Sequence, residues 1–176
     1  MPPIETPALS FDLHGWIATN RHLLRPPTGG RTVLDGGDFM VTVVGGPNRR
    51  TDFHVNPFEE FYYQLQGAMT LRLQRNGKPH DVAIAAGQIY LLPARVPHAP
   101  RRPAETVGLI LERVRKPGEI DAHEWYCERC NALLFRKEAF IEVLERDMPP
   151  IFEAYYSDPA HQRCGACGHD NPGRPG

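Results

Sequence analysis

The sequence predicts a mainly β protein, an antiparallel sandwich or barrel with a few short helices. Short apolar, β-branched runs recur from about residue 31 to 115, and turn residues punctuate them. In one run Met69, Leu71 and Leu73 alternate with Thr70, Arg72 and Gln74, the period of a half-buried strand. Asn76-Gly77 follows at once, a strong short-range hairpin signal. The 16 glycines and 18 prolines among 176 residues favour turns without reaching a disordered composition.

In chain order, Ser10 is placed to cap a helix over about residues 12–24, with Leu13, Trp16, Ile17, Leu23 and Leu24 as its apolar stripe. Pro26-Pro27 stops it. Residues 39–44 are apolar and β-branched, which predicts a strand buried on both faces. Residues 82–84, 89–92 and 107–114 read as further strands. After Pro117-Gly118 the character changes. The expected organisation is a β-barrel with an N-terminal helix over residues 1–117 and a cysteine-bearing tail packed on it over 118–176. Within the tail, residues 133–156 carry mixed signals, and their secondary structure stays open.

A net charge of −1 without a basic patch argues against a nucleic-acid or acidic-membrane partner. Residues 1–7 lack the pattern of a secretory signal, and no apolar run has membrane-spanning length, so a cytoplasmic location is expected. In that reducing compartment four cysteines are better metal ligands than disulfides. Cys127-Glu128-Arg129-Cys130 and Cys164-Gly165-Ala166-Cys167 form two C-x2-C knuckles. Four thiolates so paired want one tetrahedral ion, iron or zinc, in a closed and therefore structural site. Gly165 and Gly168 suit the tight turns around it.

Two other stretches resemble the paired motifs of the cupin superfamily. One runs from Gly46 through His54 and Glu60 to Gly67; the other holds Gly87, Pro93 and His98. Asn56 stands where the first motif usually has a second histidine, Arg95 replaces a glycine, and Arg102 takes the place of an asparagine. The resemblance leaves His54, Glu60 and His98 as metal ligands. Two imidazoles and one carboxylate are the facial set of non-haem iron(II), with positions open for a chelating substrate and dioxygen. Glu59 is the competing carboxylate, but it lies one step off the motif and on the opposite side of an extended strand.

Arg50 precedes His54 by four residues, so both leave the same face of an extended segment. Glu112 sits in an almost wholly apolar run, where a carboxylate is costly unless paired or used. Arginines near an open metal suggest a carboxylate-bearing substrate. Arg49, Arg95 and Arg101 read as solvated surface charges.

The run from Val43 to His54, and Leu92-Pro93 paired with His98-Ala99-Pro100-Arg101-Arg102-Pro103, resemble the 3-hydroxyanthranilate 3,4-dioxygenases over essentially the whole chain. That resemblance implies a cupin-type barrel, or jelly roll, with a rubredoxin-like cysteine site in the tail. It implies catalytic Fe(II) at His54, Glu60 and His98, with iron or zinc at the four cysteines. Arg50 and Arg102 would hold the substrate carboxylate, and Glu112 would contact its polar groups and assist proton movement. The implied reaction opens the ring of 3-hydroxyanthranilate with O2 to 2-amino-3-carboxymuconate semialdehyde, in kynurenine-route tryptophan degradation or in 2-nitrobenzoate degradation. It also implies a homodimer. The rival readings are a cupin metalloenzyme acting on a different small carboxylate, and a non-catalytic metal-binding protein.

Overall fold

The computed structural model describes residues 10–26, 29–48 and 50–174. Expectations placed on residues 1–7, Pro27 and Arg49 lie outside them. Among the described residues eleven strands form two antiparallel sheets, and the chain crosses from one sheet to the other repeatedly between β2 (Phe39–Gly45) and β10 (Asp121–Tyr126). This makes the molecule mainly β with the two-sheet, cupin-type architecture that the resemblance implies.

The chain enters through α1 (Leu13–Asn20) and a 3-10 turn at Arg21–Leu24. Asp12, not Ser10, caps α1: the Gly15 N–H donates to Asp12 Oδ1 at 3.0 Å. A carboxylate two residues closer to the helix satisfies the first free amides better than the more distant Ser10 hydroxyl can.

One sheet runs β1 (Gly30–Gly36), β2 (Phe39–Gly45), β9 (Val107–Arg113), β4 (Glu60–Gln66), β7 (Ile89–Leu92). The other runs β11 (Leu133–Ala139), β10 (Asp121–Tyr126), β3 (Phe53–Val55), β8 (His98–Arg101), β5 (Met69–Arg75), β6 (Lys78–Ile84). The Asn76-Gly77 signal holds: β5 and β6 pair with Arg75 opposite Lys78, and both turn residues have positive φ, 51° and 70°. Residues 39–44 are not buried on both faces as expected, because Phe39 is 56% exposed at the outer surface. Within residues 133–156 the chain makes β11 and helix α2 (Leu144–Tyr156). The second sheet continues past residue 118, with β10 hydrogen-bonded to β3 on one side and β11 on the other.

Strand alternation sorts the side chains. Tyr62, Met69, Leu71, Leu73, Ile84 and Leu92 fill the barrel interior. Ile17 and Leu24 cover Val43 and Val107 on the outside of the first sheet. Trp125 packs with Ile141, Ile151 and Tyr155 beneath α2. Buried side chains of this size contribute about 1.5–3 kcal/mol each through area removed from water.

Candidate metal centres and substrate pocket

His54 on β3 stands directly across from His98 on β8. Glu60, at the start of β4, reaches them from the opposite sheet: its Oε1 lies 3.3 Å from His98 Nε2 and 3.5 Å from His54 Nδ1. One donor atom from each of the three falls within 4.8 Å of the others. Ligands about 2.1 Å from a common octahedral ion sit about 3 Å apart when adjacent, so this trio fits a metal with small adjustments. Glu59, the competitor, is exposed, whereas Glu60 is 3% exposed.

Each of the three side chains is held by a neighbour. His98 Nδ1 donates to the Val96 carbonyl at 3.0 Å, and His54 Nε2 donates to Asp121 Oδ1 at 2.6 Å. Glu60 accepts from the Tyr62 hydroxyl at 2.6 Å and from Asn56 Nδ2 at 2.8 Å. Such outer contacts fix ring orientation and leave the other nitrogen's lone pair for a metal. Asn56 is thus part of the site without being a ligand, and its amide also donates to Glu112 Oε2 at 3.0 Å.

Charge follows this geometry. Burial opposes ionisation of Glu60, yet His98 and His54 hold its carboxyl well below the usual range. Burial also opposes charge on His54, but Asp121 and Glu60 raise it to about 9. Glu112 moves the other way. Burial first, then the nearby Glu60 charge, push its carboxyl up despite Arg115.

Arg102 is 5% exposed, and its Nη1 donates to Gln64 Oε1 at 3.0 Å. Gly108, opposite Gln64 on β9, makes room for it: a Cβ there would lie 2.7 Å from Arg102 Nη1. Burial drops the guanidinium to about 10, and among the described residues no carboxylate pairs with it. Arg50 is further out, with its side chain 43% exposed. Its fork grips Asp52 at 2.9 and 2.6 Å, and its charge acts on Tyr62 and Glu60. Arg95 and Arg101 are exposed, as expected. Arg95 keeps φ at 61°, the conformation its motif glycine supplies at no steric cost.

The second centre lies just beyond β10. Cys127 Sγ is 3.7 Å from Cys167 Sγ, Cys130 Sγ is 3.6 Å from Cys164 Sγ, and all four gather within 4.8 Å. A tetrahedral ion with bonds of about 2.3 Å places its sulfurs about 3.8 Å apart, so the cluster fits. Burial opposes ionisation of Cys127, but the amides of Cys130 and Arg129 outweigh it and lower the thiol to about 6. The knuckles match each other. The N–H of Asn131 donates to the Cys127 carbonyl and that of Gly168 to the Cys164 carbonyl, each at 2.8 Å, with φ at 60° and 71°. Gly168 therefore serves the turn as expected. Gly165 has no positive φ, and Asn131 takes the matching place in the first knuckle.

A profile of the 3-hydroxyanthranilic acid dioxygenase family matches residues 6–156. The chain belongs to that family. It is 46% identical over 166 residues to the 3-hydroxyanthranilate 3,4-dioxygenase of Ruegeria pomeroyi, covering 94% of this chain and 92% of that protein. The enzyme of the same name from Shewanella woodyi is also 46% identical, over 94% of this chain and 88% of its own. That from Xanthomonas oryzae is 43% identical over 172 residues, 98% of this chain and 93% of its own. Among solved structures, a cupin-2 domain protein from Shewanella frigidimarina overlaps 48% of this chain and 78% of its own, at TM-score 0.42 and 19% identity.

In this dioxygenase-family chain the sequence motifs missed the residues that surround the His54, Glu60 and His98 group: Asp52, Tyr62, Arg115, Asp121 and His123. His123 stacks on His54 with centroids 5.0 Å apart and its Nδ1 is 2.8 Å from Asp52 Oδ2. A signal for two of them was present. Asp121, His123 and Trp125 alternate on one strand, so a polar pair shares a face with a core aromatic.

Proposed function

We propose that this chain is a 3-hydroxyanthranilate 3,4-dioxygenase that opens the ring of its substrate with O2, giving 2-amino-3-carboxymuconate semialdehyde. The observation that carries the reading is Arg102: a guanidinium 5% exposed, bonded to the neutral Gln64 on the same inward face of β4 that carries Tyr62 and Glu60, the carboxylate gathered with two histidines in a group that could hold a metal. A buried cation of this kind is stabilised by an anionic ligand. The benzoate-type carboxylate of 3-hydroxyanthranilate supplies the matching planar group.

His54, Glu60 and His98 would hold the iron(II), and Cys127, Cys130, Cys164 and Cys167 a structural iron or zinc. Bound at the first site, iron(II) would supply the redox chemistry that lets dioxygen react with an electron-rich ring. Arg102 anchors the ring carboxylate from inside the barrel, and Arg50 closes on it from the mouth while remaining tied to Asp52. Glu112 faces the same interior, directly opposite Glu60 on β9, and its raised proton affinity suits it to hold and release a proton at a substrate hydroxyl or amine. Tyr62 and Leu92, both nearly fully buried, exclude water from the inner wall.

The division of labour follows the chain. Residues 1–117 supply the ligands and arginines, while residues 118–176 carry the cysteine site and two strands of the shared sheet. A homodimer is part of this reading. Ile89, Leu91, Tyr63 and Phe39, all more than a third exposed, project from the outer face of one sheet. Exposed apolar side chains on one sheet face suit a subunit interface. No helix of the described residues is long and apolar enough to cross a membrane, and cytoplasmic placement remains part of the proposal.

The test is anaerobic reconstitution with Fe(II), then addition of 3-hydroxyanthranilate and air. Stoichiometric oxygen uptake with formation of the yellow semialdehyde is the expected result. Turnover of a different aromatic acid in its place overturns the substrate assignment, and silence with iron bound overturns the activity.

A further inference from the structure

Asp121 is fully buried, and its two oxygens are completely engaged. Oδ1 accepts from His54 Nε2 at 2.6 Å and from Arg115 Nη2 at 2.8 Å, and Oδ2 accepts from Arg115 Nε at 2.7 Å. The remaining Arg115 arm, Nη1, donates to Glu112 Oε1 at 3.2 Å. Arg115 itself is 8% exposed and lies over the Phe58 ring, 5.4 Å from its centroid. The links therefore join end to end: His54 to Asp121, Asp121 to Arg115, Arg115 to Glu112, Glu112 through Asn56 to Glu60.

We propose that Asp121, clamped by the Arg115 fork, is the positioning residue that sets the tautomer and ring orientation of His54, and that Arg115 ties this setting to Glu112. The inference rests on the reading of His54, Glu60 and His98 as a metal site. Neither residue is one of the three candidate ligands or of the substrate-holding residues assigned above. A carboxylate taking the N–H of one imidazole nitrogen commits the other nitrogen to the lone-pair form a metal needs. Topology makes the contact available. β10 and β3 are neighbours with His123 opposite His54, so Asp121, two residues along, lies on the diagonal of the same face. The bidentate fork removes the freedom that a lone carboxylate would keep, and a lysine in its place gives one point contact instead.

The experiment loads the cysteine site with zinc and titrates the full-length protein with Co(II) without oxygen, reading the cobalt d–d bands. Asp121→Asn is expected to weaken cobalt affinity at the histidine site about 10- to 100-fold and to shift the bands. Zinc in the cysteine site stays put. Arg115→Lys, which retains a positive charge near Asp121, is expected to give a smaller loss in the same direction, and it carries the test if the first variant does not fold. Wild-type affinity and wild-type bands in a folded variant, with only a lowered melting temperature, overturn the proposal and leave Asp121 as half of an internal ion pair. If the wild-type protein itself takes no cobalt outside the cysteines, the metal-site reading fails, and this inference with it.

Discussion

Glu60 and Glu112 face each other across adjacent strands inside the barrel, and a single Asn56 amide nitrogen donates to both, at 2.8 and 3.0 Å. Two buried carboxylates this close share their electrostatic cost unequally: Glu60 is held ionised by the histidines while Glu112 is pushed toward its neutral form.

That inequality has a sign. A carboxyl whose folded-state pKa is raised contributes stability below its unfolded pKa and loses it as pH rises through the folded value. In the metal-free protein, Glu112→Gln should leave stability unchanged near pH 4 and raise it at pH 8. Urea midpoints at the two pH values check this. A difference that does not change with pH would mean that Glu112 ionises as freely in the fold as outside it.

Arg102 invites a substitution with two opposite effects. Arg102→Leu removes a buried cation with no carboxylate partner among the described residues, so the unliganded protein should be as stable as before or about 1 kcal/mol more so. Substrate binding should suffer, with kcat/KM falling about 100-fold for loss of a desolvated charge contact. Calorimetry and steady-state kinetics on the same preparation separate the two.

Gly108 tests the same anchor without touching the charge. A Cβ would approach the flexible ends of Arg102 and Gln64 at 2.7 and 2.8 Å, not backbone. Gly108→Ala should therefore fold nearly normally while displacing the guanidinium. KM is expected to rise on the order of 10-fold with little change in kcat, since misplacing a group common to bound substrate and transition state weakens both.

Metal stoichiometry distinguishes the two centres. His54→Ala should abolish turnover and lower bound metal from two equivalents to one, retained by the cysteines. Elemental analysis settles it, and loss of both metals would refute independent sites.

Cys164→Ser should do the reverse damage. The tail metal goes, and the melting temperature drops, because closed thiolate sites supply folding free energy. The packing of Trp125 against Tyr155, with centroids 4.4 Å apart, should loosen, which near-ultraviolet circular dichroism reports.

The β-barrel and the four-cysteine group were legible in local patterns, namely fixed spacings, period-two alternation and one Asn-Gly turn, while the candidate group His54, Glu60 and His98 was reached through the resemblance to the paired cupin motifs. Glu60 could be separated from Glu59 for the same reason. Asp121 and Arg115 could not be reached this way. Arg115, though only three residues from Glu112 and six from Asp121, belongs to no motif that marks it. Asp121 meets His54 only after β10 lies beside β3, a pairing between segments more than sixty residues apart that no spacing rule encodes. The change of composition near residue 118 pointed away from it, since it suggested that the tail begins a unit of its own. Residues 133–156 stayed open because α2 contains Pro149 and Pro150, residues that ordinarily argue against a helix interior.

The alternation on β4 also guards the fold against its own alternatives. Glu60 and Tyr62 point inward while Glu59 and Tyr63 are exposed. A slip of β4 by one residue would carry Glu59 and Tyr63 inside, strand Glu60 in water and leave both imidazoles facing a mismatched wall. The register that gathers His54, Glu60 and His98 is thereby the one that keeps Glu60 and Tyr62 out of water, so strand pairing and the assembly of this group depend on the same choice.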